Sequence, residues 1–157
     1  MPGTTHFKGT VDAGVGFSIA GVPVVRTAAN SMATAIATTT LTAADSGKTY
    51  VLSASTEFVT TLPALAAGLN FRFYVGAAPS GASYTIVTAG SANNMIGTIH
   101  SSTGGNADSE ASGGDTFSFA DGAAVKGDRA DFFCDGTNWY VTAFTDADAG
   151  ATITTAS

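Results

Sequence analysis

Residues 131–144 read DFFCDGTNWYVTAF, and this stretch decides the fold. Two β-prone runs, 131–134 and 139–144, flank a short segment that begins with Asp135 and Gly136. The Asp135 side chain can hydrogen-bond the backbone just ahead of it, and glycine favours a tight turn. The pattern therefore predicts a β-hairpin.

The same alternation of large and polar residues recurs before the hairpin. In the run 70–75, Phe71, Phe73 and Val75 share one face, which is typical of a half-buried strand. Turns rich in Gly, Pro, Asn and Ser separate this run from its neighbours, and the only helical candidate, 32–44, lacks an apolar stripe. We expect an all-β fold, an antiparallel β-sandwich or barrel of about eight or nine short strands. The other alternating runs are 49–52, 84–87 and 116–119.

Composition excludes several classes of protein. The chain has 157 residues, a length that fits one compact domain with an extension. Its 12 acidic and 6 basic side chains give a net charge of −6, and no basic cluster is present, so nucleic acid is not expected as a partner. One cysteine excludes an internal disulfide. No signal peptide and no apolar run of membrane-spanning length is apparent, so no membrane partner is expected either.

The chain divides into three segments that differ in amino-acid composition and patterning. Residues 1–40 contain few aromatic residues and are interrupted by glycine, which predicts an extended N-terminal arm. Residues 41–145 carry the alternating runs and form the predicted β-domain, and 146–157 form a C-terminal tail. Within the domain, the polar stretch 101–114 predicts an exposed, mobile loop.

No catalytic, cofactor-binding or metal-binding residue is predicted. Gly47-Lys48-Thr49 lacks the earlier glycine of a phosphate-binding loop and leads into a strand rather than a helix. His6 and His100 have no catalytic partner nearby in sequence, although three copies of one histidine on a threefold axis are a narrower route to a metal site. Asp128, Asp131 and Asp135 do not match the spacing of a calcium loop, and Cys134 is expected to be a buried, inert thiol.

An ordered series of segments resembles a known β-domain. Leu41-Thr42-Ala43-Ala44-Asp45-Ser46-Gly47-Lys48-Thr49-Tyr50 is followed by Thr61-Leu62-Pro63-Ala64, Ala67-Gly68-Leu69-Asn70-Phe71, Tyr84-Thr85-Ile86-Val87 and Asp135-Gly136-Thr137-Asn138-Trp139-Tyr140-Val141. The series resembles the β-domain of small structural proteins of tailed bacteriophages, including capsid decoration (cement) proteins. The resemblance implies a non-enzymatic homotrimer, made in the host cytoplasm. It further implies binding to the major capsid protein at threefold and quasi-threefold positions on the outer surface of the virion, where such proteins stabilise the head.

Two sets of contact residues follow from this interpretation. The arm is expected to bind the capsid through Phe7, Lys8, Phe17, Val22, Val24 and Arg26. Val22-Pro23-Val24-Val25 is either a strand added to a neighbour's sheet edge or the first strand of the same domain. Because a core with few Leu and Ile residues is thin, we also expect subunit contacts by strand residues opposite the core face: Tyr74, Tyr140 and Phe144.

Two other functions remain open from the sequence. A fibre or spike component would recognise a host surface glycan, with the stretch 101–114 and exposed aromatic residues near its tip. A small hydrolase has only scattered acidic residues in its favour, because glycoside cleavage requires two acids held at a fixed separation.

Overall fold

Short β-strands dominate the computed structural model, which describes residues 17–19, 22–24, 32–35, 37–54, 58–103 and 107–155. The prediction of an all-β chain is confirmed in these ranges, where the only helices are two 3-10 turns, Ala43–Asp45 and Ala89–Ser91. The weak helical candidate 32–44 forms no α-helix, because β3, β4 and the start of a 3-10 turn occupy its described residues. The strands are β1 Phe17–Ile19, β2 Val22–Val24, β3 Met32–Ala35, β4 Thr39–Thr40, β5 Thr49–Leu52, β6 Phe58–Thr61, β7 Asn70–Val75, β8 Tyr84–Val87, β9 Met95–Ser101, β10 Ala107–Gly114, β11 Thr116–Phe119, β12 Arg129–Cys134, β13 Trp139–Thr145 and β14 Ala151–Thr154.

The strands form two large sheets and one separate hairpin. One sheet has seven strands in the order β10-β9-β13-β12-β7-β5-β3, and the other has five in the order β14-β11-β8-β6-β4. Strands β1 and β2 pair only with each other within the described residues. Each large sheet ends in two different edge strands, so neither closes into a barrel in this part of the chain.

The expectation of purely antiparallel sheets is wrong. Among the described strands, five pairs are parallel: β3 with β5, β5 with β7, β4 with β6, β6 with β8, and β9 with β13. Successive strands from β3 to β8 alternate between the two sheets. Each of the strands β5 to β8 therefore pairs with the strand two places earlier in the chain, and the two strands run parallel. Side chains alternate between the two faces of a strand in parallel and in antiparallel sheets alike. The alternation in the sequence therefore does not reveal the direction of pairing.

The predicted hairpin is confirmed. Strands β12 and β13 are antiparallel, with Cys134 opposite Trp139 at the closed end. The Asp135 carboxylate accepts hydrogen bonds from the backbone amides of Thr137 and Asn138 at 2.7 and 2.8 Å. Gly136 has a φ of 99°, a conformation that other residues seldom adopt.

Aromatic rings from both sheets meet in one core. Phe132 of the seven-stranded sheet contacts Phe73 of the same sheet and Phe117 of the five-stranded sheet, both edge to face, at centroid distances of 5.3 and 5.6 Å. Trp139 is fully buried beside Phe71. Cys134 is also fully buried, as the sequence predicts.

Strands extend beyond the limits expected for the β-domain. Strands β3 and β4, which lie within residues 1–40, belong to the two large sheets. In the segment 146–157, strand β14 pairs with β11, and Ala151 is fully buried. The stretch 101–114 is not a simple loop, because β10 pairs with β9 there through backbone hydrogen bonds that need no apolar side chain.

Replacing Tyr84 by Phe should destabilise the fold by about 1 to 3 kcal/mol. The buried Tyr84 hydroxyl lies 2.7 Å from the Ala54 carbonyl and 3.0 Å from the Ala77 carbonyl, and it accepts a hydrogen bond from the Ala54 amide. Its removal leaves these backbone groups without that partner in a part-buried site. Urea unfolding measures the change in free energy.

The matched control is Tyr140→Phe, which removes a hydroxyl from an exposed ring whose hydrogen bond, to the Asp135 carboxylate, is itself exposed to solvent. This variant should stay within about 0.5 kcal/mol of the parent. Equal losses in the two variants would contradict a special role for the Tyr84 hydroxyl.

Candidate functional site

The outer face of the seven-stranded sheet carries the exposed aromatic side chains of the described residues. Because side chains alternate along a strand, β7, β12, β13 and β9 bury one set of residues and present the other outward. Phe133, Tyr140 and Phe144 lie on this outward set and are 50%, 42% and 40% exposed. Exposed aromatic rings on one face are typical of a surface that binds another molecule.

One part of this face is a row of four side chains across adjacent strands, which we call the aromatic row: Tyr74, Arg129, Phe144 and His100. Arg129 lies opposite Tyr74 on one side and opposite Phe144 on the other, and Phe144 lies opposite His100. The Arg129 guanidinium carbon is 4.6 Å from the centre of the Phe144 ring. The His100 ring stacks on the same Phe144 ring at 5.3 Å. These two contacts restrict the orientation of the Phe144 ring.

A second part is an open groove of about 420 Å³, near the closed end of the hairpin. Its floor comes from β7, β12 and β13, and its wall from the turn that leads into β5. Phe133 and Tyr140 are cross-strand partners in this groove. The side chains that line the groove include Lys48, Asn70, Arg72, Asp131, Phe133 and Tyr140.

The predicted subunit-contact residues divide between these two places. Tyr74, which is half-buried, and Phe144 lie together in the aromatic row with Arg129 between them. Tyr140 lies in the groove, four residues from Phe144 along β13, a separation of about 13 Å at the usual rise per strand residue. A contact between subunits through these side chains remains a prediction.

Sequence reasoning missed Phe133 and Arg129. The doublet Phe132-Phe133 contained the signal, because adjacent strand residues point to opposite faces and one of two large rings must then face outward. The contribution of Arg129 depends on its register with β7 and β13, which alternation within one strand does not reveal.

The predicted arm residues are only partly within the described chain. Phe7, Lys8 and Arg26 lie outside the described residues. Phe17 lies opposite Val24, and Val22 lies opposite Ile19, in the antiparallel pair β1–β2. The segment 22–24 is thus paired with its own chain.

Ion pairs neutralise the two cations of the groove. Lys48 pairs with Asp45, and Arg72 pairs with Asp131. Hydrogen bonds from Lys48, and from the hydroxyl and amide of Thr42, lower the pKa of Asp45 to about 2. Asp45 therefore stays ionised over the physiological range.

Two further carboxylates hold the backbone in place. Hydrogen bonds from the backbone amides of Asn138 and Thr137 lower the pKa of Asp135. The buried Asp128 accepts hydrogen bonds from the amides of Val125 and Asp146, both at 2.9 Å. These acids have a structural role in the turns that flank the outer face.

The three aspartates considered as calcium ligands each have a different partner in the structure. Asp128 bonds backbone amides, Asp131 pairs with Arg72, and Asp135 caps the hairpin turn. Among the described residues, no group of three or more His, Cys, Asp or Glu side chains is arranged to hold a metal ion. His100 stacks on Phe144, and His6 lies outside the described residues.

Comparisons with known proteins add no assignment. Models of protein families, curated proteins and solved structures were each compared with the chain, and none matched. Within the described residues, no helix has the length and apolar character needed to cross a membrane.

Replacing Asp45 by Asn should lower the free energy of unfolding at neutral pH by about 0.5 to 1 kcal/mol, because an exposed ion pair and its hydrogen bonds are lost. The Asp45 pKa is lower in the folded protein than its ordinary value of 3.8. The stability contributed by its charge is therefore fully present above about pH 4 and is lost as the pH falls through about 2. Unfolding experiments at several pH values measure the difference between the two proteins.

The matched control is Asp121→Asn, at an exposed turn. We expect a smaller change from it at neutral pH. A difference between Asp45→Asn and the parent that persisted unchanged down to pH 2 would contradict the ionic origin of the effect.

Proposed function

We propose that this chain is a non-enzymatic structural protein of a tailed-phage virion, a capsid decoration protein that binds the outer capsid surface and stabilises the head. The proposal begins from the resemblance of the ordered segments in residues 41–145 to such proteins. Further support is that these segments, though distant in sequence, bond directly to one another. Leu41 donates to Thr61, Gly47 to Asn70, and Leu62 to Val87, at 2.7 to 2.8 Å.

The observation that carries the proposal is the ordered outer face of the seven-stranded sheet. The large rings of the core are already packed between the sheets, while Phe144 of the aromatic row is 40% exposed. Arg129 and His100 fix that ring from two sides, so little side-chain freedom remains to be lost when a protein surface covers it. A ring that is held in place before binding suits a protein that acts by contact rather than by chemistry.

The aromatic row is the proposed contact between subunits of a homotrimer. A ring of three subunits needs two different surfaces on each subunit, and Tyr74 and Phe144 belong to one of them. Burial of apolar area contributes about 25 cal/mol per Å2, so a few hundred Å2 per subunit supply several kcal/mol before the cost of association. That energy would add to the burial that the core of each subunit already provides.

The proposed mechanism is mechanical. A protein that binds only the assembled shell lowers the free energy of that shell, and so raises its resistance to heat and internal pressure. Within this proposal, the N-terminal residues Phe7, Lys8, Phe17, Val22, Val24 and Arg26 contact the major capsid protein, and the sheets form the body that bridges neighbouring capsomers.

Purified undecorated heads of the encoding phage should bind the protein saturably. In a co-sedimentation experiment we expect a fixed ratio to the major capsid protein and a higher melting temperature of the heads. A variant lacking residues 1–30 begins before β3 and should still fold, while its retention on heads should fall strongly.

Absence of saturable binding to heads by the full chain would contradict the decoration function. Full retention of the shortened variant would contradict the role of the arm. Circular dichroism of both proteins establishes that the comparison is between folded chains.

A double substitution, Tyr74→Ala with Phe144→Ala, should dissociate the homotrimer, because it removes two rings from the proposed contact. Light scattering coupled to gel filtration measures the molar mass. Phe133→Ala is the matched control, since it removes an exposed ring from the same face but from the groove. A double variant that stays trimeric with unchanged melting would contradict this interface.

A further inference from the structure

The groove beside the hairpin is lined by aromatic, charged and other polar side chains. Its volume of about 420 Å³ lies in the range of about 300 to 1,000 Å³ that such sites occupy. Two half-exposed rings, Phe133 and Tyr140, form one side. An ion pair between Arg72 of β7 and Asp131 of β12 lies beside them.

The Tyr140 ring is fixed in place. Its hydroxyl donates a hydrogen bond to the second carboxylate oxygen of Asp135 at 3.1 Å. The other oxygen of Asp135 accepts from the amides of Thr137 and Asn138, so the acceptor is itself anchored to the hairpin turn. The ring therefore has a defined position before anything binds, which reduces the entropy lost on binding.

The polar side of the groove has donors and acceptors next to one another. Arg72 bonds one oxygen of Asp131 through its Nε. Within the described ranges, the two terminal nitrogens of Arg72 and the second oxygen of Asp131 have no other partner in the protein. Neighbouring hydroxyl groups, each both a donor and an acceptor, match this arrangement.

The electrostatics of the groove favour an uncharged ligand. Its two cations, Lys48 and Arg72, are each paired with a carboxylate. A phosphate or carboxylate group would have to compete with Asp45 or Asp131 for them, on a chain whose net charge is −6. A neutral polyol has no such competition.

From these features we infer that the groove binds a neutral saccharide. The apolar C–H face of a sugar ring packs on Phe133 and Tyr140, and its hydroxyl groups bond Arg72 and Asp131. Lys48 and Asn70 flank this site. The site goes beyond the decoration function and is separate from the aromatic row.

Titration of the full-length, 15N-labelled protein with neutral oligosaccharides tests the inference by NMR. The probes are maltotriose, cellotriose, mannotriose and N-acetylchitotriose, with sialyllactose as the anionic comparison. We expect at least one neutral probe to cause saturable shifts in amides of β12 and β13 around the groove. Phe133→Ala should weaken that binding about tenfold, as loss of an aromatic platform does.

Met32→Ala is the matched control, because it removes an exposed apolar side chain of the same sheet outside both the groove and the aromatic row, and we expect less than a twofold change. Asp131→Asn frees Arg72 from its ion pair, and it should shift preference from the neutral probe towards sialyllactose. A 15N spectrum of each variant verifies the fold.

Three outcomes would overturn the inference. One is that none of the neutral probes gives saturable shifts at the groove. Another is that Phe133→Ala and Met32→Ala weaken binding equally. The third is that the parent protein prefers sialyllactose. Binding to phage heads is measured in a separate experiment, so a negative saccharide titration does not contradict the proposed decoration function.

Discussion

The packing of Phe132 between two other rings is the contact on which the structure depends. Phe73 lies beside it in the seven-stranded sheet, and Phe117 reaches it from the five-stranded sheet. Edge-to-face pairs of this kind add to the energy of burial and also restrict how the two sheets can lie against each other. With so many small residues in the chain, these few rings supply a large share of the volume of the core.

The inward position of Phe132 determines what the outer face presents. Because neighbours on a strand point to opposite sides, fixing Phe132 inside directs Asp131 and Phe133 outward. Asp131 then meets Arg72 across the sheet, and Phe133 meets Tyr140. The groove is thus a direct result of the packing on the other side of the same strands.

The sequence predicts the hairpin well because its determinants are local. Asp135 and Gly136 specify the turn through bonds to residues next to them, and the flanking runs alternate cleanly. The direction of pairing between β5 and β7 was not predictable in the same way, since it depends on β6 entering the other sheet. The outward aromatic residues Tyr74, Tyr140 and Phe144 follow from alternation, whereas their division into a row and a groove depends on register.

The alternation of successive strands between the sheets has a consequence for how the molecule opens. Strand β7 can pair with β5 only after β6 has crossed to the opposite sheet, and β8 can pair with β6 only after β7 has returned. The strands β5 to β8 are therefore interlocked between the two sheets, whereas β9–β10 and β12–β13 are hairpins within one sheet. Amide protons of β5 and β7 in one sheet and of β6 and β8 in the other should then exchange with solvent through one shared opening event, of nearly the same free energy. Such interlocking also makes the chain a slow folder, because contacts distant in sequence must form before any of them is stable.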